Sequence, residues 1–167
     1  MGEVSNSLSL SPRAMTEAPE FDFREYFTGH ILASGWFSDR FGNPRRHFCG
    51  DFVGIQQGQH FVLDERLYFT DGINEQRVWK ITLSDNGRFQ AESDTLVGEA
   101  TGWLAGDTLS MRYTMKVAID TKQIWRLSMQ DKMILQPDGS LHNITQVYKW
   151  GIRIGTVSTQ YRHAEKN

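Results

Sequence analysis

The stretch Phe61–Leu83, FVLDERLYFTDGINEQRVWKITL, decides how the chain is read. Apolar and polar residues alternate on both sides of Asp71-Gly72, the pattern of two antiparallel strands joined by a tight turn. Side chains along a strand point to opposite faces in turn, so Phe61, Leu63, Glu65, Leu67 and Phe69 share one face. Arg77, Trp79, Ile81 and Leu83 share a face of the second strand. If both faces turn to the core, Glu65 and Arg77 set a carboxylate and a guanidinium among apolar side chains, where each requires a partner. A three-residue connection at Asp71-Gly72-Ile73 predicts Glu65 opposite Trp79 and Leu67 opposite Arg77. Glu65 and Arg77 are then diagonal neighbours within reach of long side chains. The functional reading is a polar anchor in the wall of a ligand cavity; the plainer one is a structural ion pair near a barrel mouth.

The same alternation continues outward. Phe21–Phe27 predicts one short amphipathic helix or turn, with Phe23 and Phe27 on a common face. Gly29–Phe37 and Arg46–Gln57 read as strands separated by Gly42-Asn43-Pro44. Beyond the central hairpin, a short strand ends near Glu92, and Leu96–Trp103 carries Gly98 and Gly102, residues that mark a bulge or tight bend. Leu109–Val117 alternates with Met111, Tyr113 and Met115 on its apolar face. Ile124–Leu135 does so with Trp125, Leu127, Met129, Asp131 and Met133, and Leu141–Trp150 and Ile152–Tyr161 complete the set. About ten short strands at this spacing, with no helix long enough for a parallel crossover, predict an all-β, antiparallel up-and-down barrel of lipocalin-like type. The expected organisation is a disordered Ser-rich arm over 1–20, one barrel domain over 21–163 and a polar tail over 164–167.

Composition limits the function classes. The chain has 167 residues, a formal net charge of −2 and no basic stripe interleaved with aromatics, which argues against nucleic-acid binding. Apolar runs are far too short for a membrane-spanning helix. The single cysteine, Cys49, forbids an intramolecular disulfide. No basic segment precedes an apolar run at the N-terminus, which favours a cytoplasmic location. Met1-Gly2 lacks the Ser or Thr that a myristoylation site needs where Asn6 stands. Phosphate loops and nucleophile elbows are absent. His47, Cys49 and Asp51 share one strand face opposite Phe48 and Phe52, so they are expected to look outward, and their spacing matches no zinc motif. No metal and no cofactor is expected.

Several landmarks taken together resemble a known bacterial group. They are Asp39-Arg40-Phe41-Gly42, Leu63-Asp64-Glu65, Asp71-Gly72, Arg77-Val78-Trp79, the glycines at 98, 102 and 106, Asp131 with Met133, Asn143, and Lys149-Trp150-Gly151. The chain resembles the family catalogued as domain of unknown function 3833 over about Phe27–Tyr161. The resemblance implies a lipocalin-like β-barrel of unestablished activity, and an envelope location as the alternative to the cytoplasm, since many members look like lipoproteins. Here the only cysteine lies in a strand, and Gln130-Asp131-Lys132 stands where similar proteins carry two acidic residues and an aromatic.

The expected ligand is an apolar or lipidic small molecule held against Trp79, Trp125, Met111, Met115 and Met129, its polar end fixed by Glu65 and Arg77. Asp131 and Asn143, on the strands flanking Pro137-Asp138-Gly139, and Tyr113 form a second polar group on the inward faces. A carboxyl in apolar surroundings has a raised pKa, so Asp131 or Glu65 is the candidate acid–base group if the barrel is an isomerase, cyclase or hydrolase. The third alternative is a structural barrel packed solid with rings. Oligomeric state and ligand identity are not legible in the residues.

Overall fold

A computed structural model of the chain describes residues 19–165. The expectations for the Ser-rich arm and the Met1-Gly2 motif fall almost wholly outside these residues. One helix, α1 (Phe23–Phe27), precedes ten strands: β1 (Gly29–Asp39), β2 (Pro44–Gln57), β3 (His60–Phe69), β4 (Asn74–Leu83), β5 (Arg88–Glu92), β6 (Ala100–Ala105), β7 (Thr108–Ala118), β8 (Ile124–Leu135), β9 (Leu141–Lys149) and β10 (Ile152–His163). Each strand pairs antiparallel with the next, and β1 pairs with β10 from Ile31↔His163 to Asp39↔Gly155, closing the barrel. Closure follows from the alternation: each strand has one apolar face to bury, and a cylinder buries all of them while removing free edges.

The central hairpin forms one step away from the predicted register. Glu65 pairs directly with Arg77, Leu63 with Trp79 and Leu67 with Glu75. The three-residue loop is Thr70-Asp71-Gly72, one position earlier than expected, closed by Phe69 N–H to Ile73 O at 3.0 Å. Gly72 stands at φ +88°, the left-handed conformation that ends such loops, and this fixes which residue comes third. The expected Leu96–Trp103 strand is also shorter: β6 begins at Ala100, and Leu96 makes only an isolated bridge to Met115. The pairing of β4 with β5 is confined to Lys80–Leu83, so the first half of β4 has a ladder partner on one side only, β3.

The N-terminal segment closes one end of the cylinder. Asp22 caps α1 by accepting from the Glu25 N–H at 3.1 Å, and Phe21 N–H reaches Gly106 O at 2.8 Å. Phe23 packs on Phe61 and Phe89, with ring centroids 5.7 and 5.3 Å away, while Phe27 meets Tyr161 at 5.6 Å. The chain leaves the helix against Gly54, where a Cβ would lie 2.0 Å from Phe27 O, so only glycine admits this contact. No helix in the described residues is long and apolar enough to cross a membrane.

Candidate functional site

The barrel encloses a cavity of ≈ 430 Å³. Phe23, Phe27 and Phe89 seal it at the helix end, whereas the exposed Arg45 and Asp71 line it at the other, so its mouth lies among the 40–43, 70–73, 119–123 and 150–151 connections. A volume above the ~300 Å³ of the smallest ligand pockets disposes of the barrel packed solid with rings. All ten residues singled out from the sequence line this one space: Glu65, Arg77, Trp79, Met111, Tyr113, Met115, Trp125, Met129, Asp131 and Asn143. The methionines sit on β7 and β8, two of them paired across the ladder with polar lining residues, Met111 with Asp131 and Met129 with Tyr113.

Three inward positions of the central hairpin carry charge. Glu75 follows from the same two-residue period as Arg77, one step nearer the turn, and it is Glu75 that ion-pairs with the Arg77 guanidinium. Its other oxygen accepts from the Ala118 N–H of β7 at 3.1 Å. Both side chains are only 13–14% exposed. Glu65 forms no ion pair among the described residues. Part of its surface remains accessible, but that surface faces the lumen rather than bulk water, and desolvation raises its carboxyl pKa from 4.5 to about 7 against the opposing pull of Arg77. Trp79 also draws the Glu65 pKa down, yet its indole N–H makes no hydrogen bond of normal geometry. The Trp79 ring meets Tyr113 edge-on at 5.5 Å, bridging β4 and β7 where no backbone ladder joins them.

Asp131 occupies the opposite wall. It is buried, and the Tyr113 hydroxyl donates to its two oxygens at 3.0 and 3.2 Å. Burial raises the Asp131 pKa from 3.8 to about 6, opposed by the polar hydrogens of Thr145, Tyr113 and Asn143 around it. Burial also pushes the Tyr113 and Tyr161 phenols well above their ordinary value, helped by the nearby carboxylates. Asn143, two residues before the buried Thr145, donates to the Thr145 hydroxyl at 3.5 Å. Its carbonyl oxygen has no partner. With Arg46 Nη2, Arg77 Nε and Trp79 Nε1, this gives three buried donors and one buried acceptor, all on residues that line the lumen, without hydrogen bonds among the described residues.

Arg46 spans the mouth. Its Nε pairs with Asp71 at 2.8 Å, Nη1 donates to Ala118 O at 3.0 Å, and the guanidinium carbon lies 3.7 Å from the centre of the Phe69 ring. Three elements, β2, the β3–β4 turn and the end of β7, are thus tied across the opening. Arg46, Glu75, Tyr161 and Thr145 escaped the sequence reading. Extending the alternation one step from Arg77 to Glu75, or from Asn143 to Thr145, carried the signal for two of them. By contrast, Cys49 is exposed, and Asp51 meets His30 Nε2 across the β1–β2 ladder at 2.9 Å, outside the lumen.

Ten antiparallel strands closed around a mostly apolar lumen with a polar patch define a lipocalin-like β-barrel. The chain belongs to the family described as protein of unknown function DUF3833, whose model matches residues 6–163. No curated protein matches the sequence. Among solved structures, the S-type phycobiliprotein lyase CPES from Guillardia theta is similar in fold, with a TM-score of 0.62 over 87% of this chain and 92% of that one, at 5% sequence identity.

Proposed function

We propose that this protein binds one small molecule, apolar over most of its length, in the barrel lumen, with the polar end of that molecule at Glu65, Trp79, Arg77 and Asn143. The observation that carries this reading is a mostly apolar cavity of ≈ 430 Å³ whose wall carries Arg77, Trp79 and Asn143, residues whose buried Nε, Nε1 and Oδ1 atoms lack a hydrogen-bond partner among the described residues. Buried polar atoms without partners are costly, and small side-chain rotations that turn these atoms from behind the lumen surface toward a ligand would recover that cost. The patch also favours an uncharged polar end. Arg77 is neutralised by Glu75, so a ligand carboxylate would find no uncompensated cation there and would add a third acid beside Glu65 and Asp131. An alcohol or amide both accepts from Trp79 and Arg77 and donates to Asn143. The lyase likeness supports the barrel outline only.

Native mass spectrometry of the protein purified from its natural source tests this. A co-purified lipid-like alcohol or amide, released on denaturation and lost in Asn143→Leu with Trp79→Phe, is the expected result. A carboxylate ligand, or protein free of any bound species, would count against it.

A second reading, acid–base catalysis on the same bound molecule, is favoured by the Tyr113–Asp131 hydrogen bond and the raised Asp131 pKa. Conversion of the co-purified species on prolonged incubation, abolished in Asp131→Asn with binding retained, would support it.

A further inference from the structure

The mouth of the barrel is polarised, and its apolar side chains are not placed at random. The four most exposed large hydrophobic residues among those described are Trp150 at 88%, Phe41 at 75%, Ile124 at 70% and Ile152 at 59%. All four fall on or beside three hairpin tips at the open end, the β1–β2, β7–β8 and β9–β10 turns. These tips adjoin one another, because β1 pairs with β10 and β9 with β8.

Charge follows the same division. Residues 39–45, 119–124 and 149–153 hold five cations, Arg40, Arg45, Lys122, Lys149 and Arg153, against two carboxylates, Asp39 and Asp120. Asp39 is taken by Arg45 at 2.8 Å, and Asp120 accepts from the Lys122 and Gln123 N–H groups. The remaining tips, 70–73 and 93–99, contain Asp71, Asp94 and Glu99 and no cation. A chain with an overall charge of −2 therefore concentrates positive charge on the half of the rim that carries the exposed apolar groups.

The backbone adds an independent sign. Lys149 and Ile152 are paired, leaving Trp150-Gly151 as a two-residue loop with φ of +52° and +77°. Asn-Gly suits such a turn, and Trp150 is the one non-glycine residue with positive φ among those described. A bulky side chain held in that conformation and pushed into solvent signals a role outside the fold. Lys149 Nζ sits 3.1 Å from the Trp125 ring centre and 4.4 Å from that of Trp150, linking the rim to the lumen wall.

The geometry points to a membrane-docking rim: Phe41, Ile124, Trp150 and Ile152 enter the headgroup region of an anionic bilayer while the exposed Arg40 and Lys122 of the same tips meet its phosphates. Surface binding of this kind draws on buried apolar area together with attraction to anionic lipid, and tryptophan suits the boundary because one end of its ring is apolar and the other polar. The tilt set by the basic half would present the open lumen to the bilayer. This inference does not depend on what occupies the cavity.

Co-sedimentation of the full chain with phosphatidylcholine vesicles, with and without phosphatidylglycerol, tests it. Binding is expected to vesicles containing phosphatidylglycerol only, and to weaken as salt screens the rim. Trp150→Asn combined with Phe41→Ser should lower the partition coefficient by about tenfold, while Trp150→Asn alone leaves the melting temperature unchanged or higher, since Asn-Gly relieves the turn. Absence of binding to anionic vesicles, or equal binding by the double variant, would overturn the proposal. So would a concentration-dependent dimer dissolved by the same substitutions, which would make the rim a self-association surface.

Discussion

Glu65 and Arg77 stand directly opposite each other on β3 and β4, yet the guanidinium pairs with Glu75, while Glu65 faces the lumen with no ion pair among the described residues. The Glu65 proton is therefore held to about pH 7 in the folded chain, against an ordinary value of 4.5. The folded state binds this proton more tightly than the unfolded state. Its contribution to stability is thus fully present below 4.5, declines as pH rises and ends near 7. A shift of this size corresponds to ~3 kcal/mol. Glu65→Gln should flatten the decline and exceed the parent in stability by ~1–3 kcal/mol above neutral pH, read from urea unfolding across a pH series. A decline unchanged in Glu65→Gln would assign it to another group.

Asp131 acts in the same direction over a lower window, from 3.8 to about 6. Tyr113→Phe removes a hydrogen bond that favours its charged form, so the Asp131 pKa should climb further, observable by carboxyl-resolved NMR. The lost bond to a charged acceptor is worth ~1.5–3 kcal/mol at pH values where Asp131 is ionised, and less below them. An unmoved pKa would mean that burial alone sets it.

Arg46 is predicted to limit traffic through the mouth. Arg46→Ala deletes the Asp71 pair, the bond to Ala118 O and the Phe69 contact together. A bound fluorescent fatty alcohol should dissociate several-fold faster, with a stability loss of ~1–2 kcal/mol. Equal dissociation rates would show that passage does not run past Arg46.

Gly54→Ala tests the seat of α1. Its Cβ would sit 2.0 Å from Phe27 O and 2.7 Å from the Phe61 ring, so the helix must lift. A loss of ~2 kcal/mol or more is expected, with faster amide exchange confined to about residues 21–28. Exchange that quickened evenly around the barrel would indicate global destabilisation instead.

Alternation alone made the strands, their inward faces and the cavity-lining residues legible, because an antiparallel barrel writes its burial into a period of two. Met111, Tyr113 and Met115 needed nothing more. Register was harder: whether Thr70 or Asp71 opens the loop depends on where the left-handed residue falls, and Asp71-Gly72 fits either choice until Gly72 is known to be third. The partner of Arg77 is hidden for a related reason. Glu65 stands out by lying between Leu63 and Leu67, whereas Glu75 lies near the turn, where a charge is ordinary. Arg46 joins residues far apart in sequence, Asp71 and Ala118, and no local pattern foretells that.

The incomplete ladder beside β4 has a mechanical outcome. Between its first half and β7 the wall is joined by side chains, Glu75 to Ala118 and Trp79 to Tyr113, rather than by a continuous row of backbone bonds. Rotamer changes at those few residues would part the wall there with every strand pairing intact, so this seam is where the lumen is expected to widen for a bulkier form of the proposed ligand.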